Sequence, residues 1–308
     1  MPAATALISG DELKAAAFKY AGEIRLRVKG EQSGLLSIFD GWFARTVSCL
    51  LQFDQARSWE ESVRERAEQP PPAVDLRWDL LRLRQFLDRW RRGRFVTFAE
   101  RERTAVLYDQ RLGTEFGVDV LLTSQGAPSL LRWRGTPLMK NVFDFAMYPA
   151  LISELRPLTV FEIGSGMGAS AAWFADTMIA NGVEGRVHSV DLAKPKMEHP
   201  LVTFYQGDCC DPAGLFNVEL LCTAPHPWLV VEDAHHNVAA VLEHMHSFTQ
   251  SGDYLVVEDT DVKRQTLRSF VGAHPGQYLV DTKFTDNFGR NATCAADAIF
   301  VRTEPKSE

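Results

Sequence analysis

The chain of 308 residues is 45% hydrophobic with a net charge of −7: enough apolar content to bury a sizeable core in one large domain or two, and a balance that argues against a nucleic-acid partner. Its five cysteines, Cys49, Cys209, Cys210, Cys222 and Cys294, are odd in number and show no Cys-x-x-Cys spacing, so they read as reduced thiols and not as a disulfide framework or a zinc site. No apolar run approaches the roughly 20 residues of a membrane-spanning helix and no basic segment leads an apolar one at Met1, which makes a cytoplasmic protein without a membrane partner the expectation.

The first third reads as mainly helical. Ser9 followed by Glu12 is a capping-box start for a helix to about Ala21, Ile24, Leu26 and Val28 alternate as a short strand would, and Leu35 to Phe53 suits another helix. Pro70-Pro71-Pro72 marks a stiff break. Beyond it Leu76, Leu80, Leu83, Leu87 and Trp90 share one helical face, which could pack against another subunit. Thr97 and Glu100 start a further capped helix to about Tyr108. The basic cluster Arg82, Arg84, Arg89, Arg91, Arg92, Arg94, Arg101 and Arg103 is interleaved with the apolar stripe, and reads as a solvated helix face before it reads as a grip on an acidic ligand.

From about Leu130 strands and helices alternate. Strands are expected near Val160–Ile163, Val187–Asp191, Val202–Gln206, Trp228–Glu232 and Tyr254–Glu258, with a last one near Ala296–Arg302. That alternation predicts an α/β domain with a doubly wound, mainly parallel sheet and its ligand at the carboxyl ends of the strands. The division expected is a helical auxiliary domain over 1–128, serving assembly or as a substrate lid, and a cofactor-binding domain over 129–308.

Two constellations stand at those strand ends. In the first, Val160-Phe161-Glu162-Ile163 gives way to Gly164-Ser165-Gly166-Met167-Gly168 and then to a good helix former from Ala169-Ser170, a strand, tight turn and helix that let backbone approach a nucleotide-like ligand. Gly164, Gly166 and Ala169 also satisfy the dinucleotide spacing, so the turn alone does not choose the cofactor. Asp191 closes the second strand, where an acid can accept both ribose hydroxyls; Asp208, after the third, could face the adenine amino group or simply close a turn.

In the second, Asp233 ends one strand and Glu258-Asp259 the next. Neighbouring strands lie about 4.8 Å apart, so these three carboxylates can converge beside the glycine turn, and a hard divalent cation, Mg²⁺ first, is the simplest neutraliser. Glu232 should be turned away by alternation along the strand. His236, three residues past Asp233, is the candidate base for a hydroxyl acidified by the metal, with His235 competing. The polar stretch Asp286 to Asn291 could close over the acceptor or form a surface hairpin.

The set Trp133-Arg134-Gly135-Thr136-Pro137, Lys140, Asp144, Glu162-Ile163-Gly164, Gly207-Asp208, Asp233-Ala234-His235-His236 and Tyr254-Leu255-Val256-Val257-Glu258-Asp259-Thr260 resembles the cephalosporin hydroxylase-like family. Relatives of that family include the metal-dependent O-methyltransferases of macrolide sugars. The resemblance spans about Leu130 to Arg302; the helical first third carries no matching motif. It implies a class I S-adenosylmethionine-dependent methyltransferase fold, with Glu162, Gly164, Ser165, Gly166, Gly168, Ser170, Asp191 and Asp208 around the cofactor. It further implies Mg²⁺ on Asp233, Glu258 and Asp259, a base at His236, and a homo-oligomer. The expected reaction is displacement of a sulfonium methyl by a hydroxyl of a small molecule, of the natural-product, antibiotic type. A nicotinamide-dependent oxidoreductase would leave the three carboxylates without a task; a non-catalytic cofactor-binding subunit is the other alternative.

Overall fold

The computed structural model describes residues 93–105, 113–114, 116, 120, 123–124 and 131–304, all within the unit Arg89–Glu308. The elements expected before Gly93, and the arginines of the basic cluster up to Arg92, lie outside the described residues. Strand β1 (Phe95–Val96) leads into helix α1 (Phe98–Ala105) through the capping box read from the sequence. The Thr97 N–H donates to Glu100 Oε2 at 2.9 Å, and the Glu100 N–H donates to Thr97 Oγ1 at 3.2 Å.

A two-stranded hairpin, β2 (Arg132–Trp133) and β3 (Thr136–Pro137), precedes helix α2 (Val142–Leu155), whose N-cap Asn141 accepts from the N–H groups of Phe143 and Asp144. The sheet then builds through β4 (Thr159–Ile163), α3 (Ala169–Ala180), β5 (Arg186–Asp191), β6 (Val202–Gln206), α4 (Val218–Thr223), β7 (Trp228–Glu232), α5 (Val238–His246), β8 (Tyr254–Val257), α6 (Thr260–Ala273), β9 (Tyr278–Asp281), α7 (Thr282–Thr285) and β10 (Ile299–Arg302). Its order is β1-β9-β10-β8-β7-β4-β5-β6. Strands β4 to β8 run parallel, while β10 inserts antiparallel between β8 and β9 and β1 pairs antiparallel with β9.

Alternate residues of the same central strands fill two different cores, as a sheet covered on both faces requires. Phe161, Val230 and Leu255 face the side of α5 and α6, with Val241, Leu242, Leu267 and Phe270. Val160, Val231 and Val256 face the side of α2 and α3, with Met147, Leu151, Trp173 and Phe174. Each fully buried aliphatic or aromatic side chain of this kind contributes about 1.5–3 kcal/mol relative to leaving it exposed.

Three features differ from the sequence reading. Strand β9 was not expected: Tyr278 to Asp281 is only four residues, and although the turn dipeptide Pro275-Gly276 precedes it, its antiparallel partners on either side are what make it a strand. The last strand begins at Ile299, because Asp297 has φ +58°, a left-handed turn conformation that ends regular pairing. The stretch Asp286 to Asn291 is anchored at both ends, since Asp286, Arg290 and Asn291 are buried, while Phe288 between them is exposed. Arg101 Nη1 and Nη2 hold Asp286 at 2.7 and 2.6 Å, and Arg101 Nε holds Asp297 at 2.5 Å. Arg101 is therefore the centre of a buried ion cluster and not part of a solvated face.

Candidate active site

One end of a cleft of about 420 Å³ is the glycine turn between β4 and α3. Gly164 has φ +105°, and a Cβ there would lie 2.7 Å from the Asp233 carbonyl carbon, so this position needs glycine twice over. At Gly166, φ +50°, a Cβ would meet nothing within 4 Å: it would project into space that a ligand can use. The Gly166 N–H donates to Asp191 Oδ2 at 2.8 Å, which ties the turn to the end of β5. Beneath it, Ser165 Oγ and Ser189 Oγ are 2.6 Å apart and Ser189 donates onward to Glu162.

The other end is acidic. Backbone pairing continues past the strands, with the Asp233 N–H on Ile163 O at 2.8 Å and the Glu258 N–H on Glu232 O at 3.0 Å, so the acids that follow β7 and β8 emerge side by side. Lys140 Nζ lies 2.8 Å from Asp233 Oδ2 and 2.6 Å from Glu258 Oε1, and Tyr148 OH donates to the same Glu258 oxygen at 2.5 Å. Burial pushes the Glu258 carboxyl well up, and the neighbouring Asp233 charge adds to this while Lys140 opposes it. Burial also pulls the Lys140 ammonium down, but the charges of Asp233 and Glu258 outweigh it and leave Lys140 firmly protonated.

Asp259 stands at the N-cap of α6 with φ +48°, yet its carboxylate makes no capping hydrogen bond. An aspartate at an N-cap ordinarily accepts from the first turn. Here its Oδ2 lies 3.2 Å from His235 Nε2, which is also 3.4 Å from Asp233 Oδ1. One donor atom from each of Asp233, His235 and Asp259 lies within 4.8 Å of the others, a span one ion can bridge, and the oxygen-rich set fits a hard divalent cation.

The expected residues fall into place unevenly. Gly164, Ser165, Gly166, Ser170, Asp191 and Asp208 line the cleft, as do Asp233, His236, Glu258 and Asp259. Glu162 and Gly168 do not: Glu162 is fully buried below the turn, where burial pushes it up to about 7, and Gly168 packs against the Phe204 ring. Asp208 Oδ1 accepts from the Cys210 N–H at 2.8 Å, the turn role that competed with the ligand role. His236 Nε2 is 3.2 Å from Cys210 Sγ, so His235, and not His236, is the histidine against the carboxylates.

Glu232 is turned away as alternation predicts, but it has a task. Its Oε1 accepts from the N–H groups of Ala234 and His235, both at 3.1 Å, and its Oε2 accepts from Lys263 at 2.7 Å, so it shapes the loop that presents Asp233. Sequence reasoning gave no role to Lys140 or Tyr148. The available signal was the three-to-one excess of acids at the strand ends, which demands a buried cation, beside a lysine that directly precedes a helix cap.

A doubly wound sheet in this order, with a glycine turn and strand-end acids on one cleft, is the class I methyltransferase-type Rossmann-like fold. The chain belongs to the Rhamnosyl O-methyltransferase/CmcI family, whose model matches residues 128–300. Among curated proteins it is 31% identical over 151 residues to a rhamnosyl O-methyltransferase of Mycobacterium leprae (strain TN), covering 46% of this chain and 66% of that protein. It is 30% identical over 165 residues to the rhamnosyl O-methyltransferase of Mycobacterium tuberculosis (strain ATCC 25618 / H37Rv), covering 51% and 66%. The chain thus spans just under two thirds of the length of these relatives. Among solved structures it is similar to a CmcI-N160 apo-structure, with TM-score 0.51, 25% identity and coverage of 62% of this chain and 86% of that one.

Proposed function

We propose that this protein transfers the methyl group of S-adenosylmethionine to a hydroxyl of a small molecule, with Mg²⁺ as a second cofactor. The observation that carries the reading is the single cleft that joins a glycine turn tied to Asp191 with the acids Asp233, Glu258 and Asp259. Membership of an O-methyltransferase family supports oxygen as the acceptor atom, and the relatives' name makes a rhamnosyl hydroxyl the acceptor class to try first. A natural-product glycoside acceptor and a homo-oligomer belong to the same reading.

Gly164, Ser165, Gly166 and Asp191 would hold S-adenosylmethionine, and Asp233, Glu258 and Asp259 would hold Mg²⁺. When bound, the first supplies an electrophilic methyl and the second supplies positive charge that acidifies a hydroxyl. Glu232 keeps Asp233 in register with Asp259 through its hold on the Ala234 and His235 N–H groups. His236 accepts the proton, with Cys210 Sγ at 3.2 Å from its Nε2 fixing the ring. A second reading gives the proton to His235, favoured by its contact with Asp259.

Calorimetry with S-adenosylhomocysteine and with NAD⁺ tests the cofactor. S-adenosylhomocysteine should bind, and Gly166→Val, whose side chain would enter the open space of the cleft, should weaken it by about a hundredfold or more in a protein whose circular dichroism is unchanged. Binding of NAD⁺ in its place, or undiminished binding by the variant, would reject the reading.

A further inference from the structure

The acidic end of the cleft carries a cation of its own. Lys140 precedes α2, and its backbone is pinned because the next residue, Asn141, caps that helix with hydrogen bonds of 2.9 and 2.7 Å. The Lys140 side chain is 1% exposed, and its ammonium bridges Asp233 Oδ2 and Glu258 Oε1. Its Nζ also lies 5.8 Å from the centre of the Tyr148 ring, whose hydroxyl shares the Glu258 oxygen. Asp259, with its side chain 46% exposed, receives no lysine ammonium among the described residues. One compact point charge is therefore attached to two of the three cleft carboxylates, Asp233 and Glu258.

An ammonium so placed occupies Asp233 Oδ2 and Glu258 Oε1, and its charge repels any second cation that comes to these carboxylates. Burial keeps that repulsion from being screened by salt. Resting on the metal site proposed above, we infer that Lys140 is the resident counter-cation of this site and holds its affinity for a divalent cation down. The ion then binds exchangeably instead of being locked in. Lys140 is on this account a positioning residue: it touches the carboxylates and not the reacting atoms.

Calorimetric titration with Mn²⁺ alone, on the full chain, tests this in Lys140→Met and in Tyr148→Phe, which removes a donor to Glu258 without changing charge. Lys140→Met should bind Mn²⁺ about tenfold tighter or more than the parent protein, and Tyr148→Phe should stay within about threefold. If Lys140→Met is folded by circular dichroism and binds no tighter, the inference is overturned. Should it unfold without metal, Mn²⁺ must restore the fold by replacing the lost charge; failure to do so overturns it equally. Absence of Mn²⁺ binding in both the parent and Lys140→Met removes the metal site itself, a different failure from a parent that binds and a variant that is unchanged.

Discussion

Arg101, Arg264 and Arg290 gather around Asp286 and Asp297 at the antiparallel side of the sheet, while at the carboxyl ends of the parallel strands Lys140 faces Asp233, Glu258 and Asp259. Both clusters bury ionic groups at hydrogen-bonding distances. In the first, cations match or exceed the carboxylates and Asn291 Oδ1 adds an acceptor at 3.0 Å from Arg101, so the charge is closed by the protein itself. In the second the carboxylates outnumber the cation, and one of them forgoes the helix cap it could have made. The contrast separates structural ion pairs from a site with room for a ligand charge: Arg101 and Lys140 are both buried at short distances from their partners, but only the second cluster has an excess of carboxylates, and one of these, Asp259, is 46% exposed.

Removing the proposed base beside the unbalanced cluster should give the largest effect. With labelled S-adenosylmethionine and whichever rhamnoside of an alkyl and aryl series turns over, His236→Ala should lower kcat by about 10²–10⁴, partly recovered at higher pH, while cofactor binding stays intact. His235→Ala is the matched comparison. If it is His235→Ala that is crippled and His236→Ala that is normal, the proton goes to the residue seen against Asp259; if neither changes kcat, both histidines are structural.

Breaking the balanced cluster should act on stability instead. Arg101→Met strips two buried aspartates of their main partner and should lower the unfolding free energy by about 3–5 kcal/mol, the usual result of leaving one side of a buried pair unmatched. Denaturant unfolding measures this. Divalent-cation binding by the folded fraction should be unchanged, and a variant as stable as the parent would mean that the cluster contributes nothing net.

How far the sequence could be read follows the range of the interactions. The five parallel strands and the acids at their ends were legible because apolar runs and the residues that close them are neighbours in the chain. Thr97 and Glu100 were legible as a cap for the same reason. Arg101 was not, since its partners Asp286 and Asp297 are 185 and 196 positions away, and an arginine among arginines looks the same whether solvated or buried. The Asp286 to Asn291 stretch was legible only in part, because polar and glycine-bearing composition does not show that Asp286 and Asn291 anchor it in a buried ion cluster. Lys140 stands 93 positions from Asp233 and 118 from Glu258, and only the folded sheet brings that lysine under the two acids.

The most direct test of the claim that the unbalanced cluster is a cation site is calorimetric titration of Mg²⁺ and Mn²⁺ into the parent protein and Asp259→Ala. Removing the one carboxylate that neither Lys140 nor a helix N-terminus uses should leave the fold unchanged and weaken a single binding event by about a hundredfold or more. A parent protein that binds neither ion, or an Asp259→Ala variant that binds both as tightly as the parent, would contradict the account.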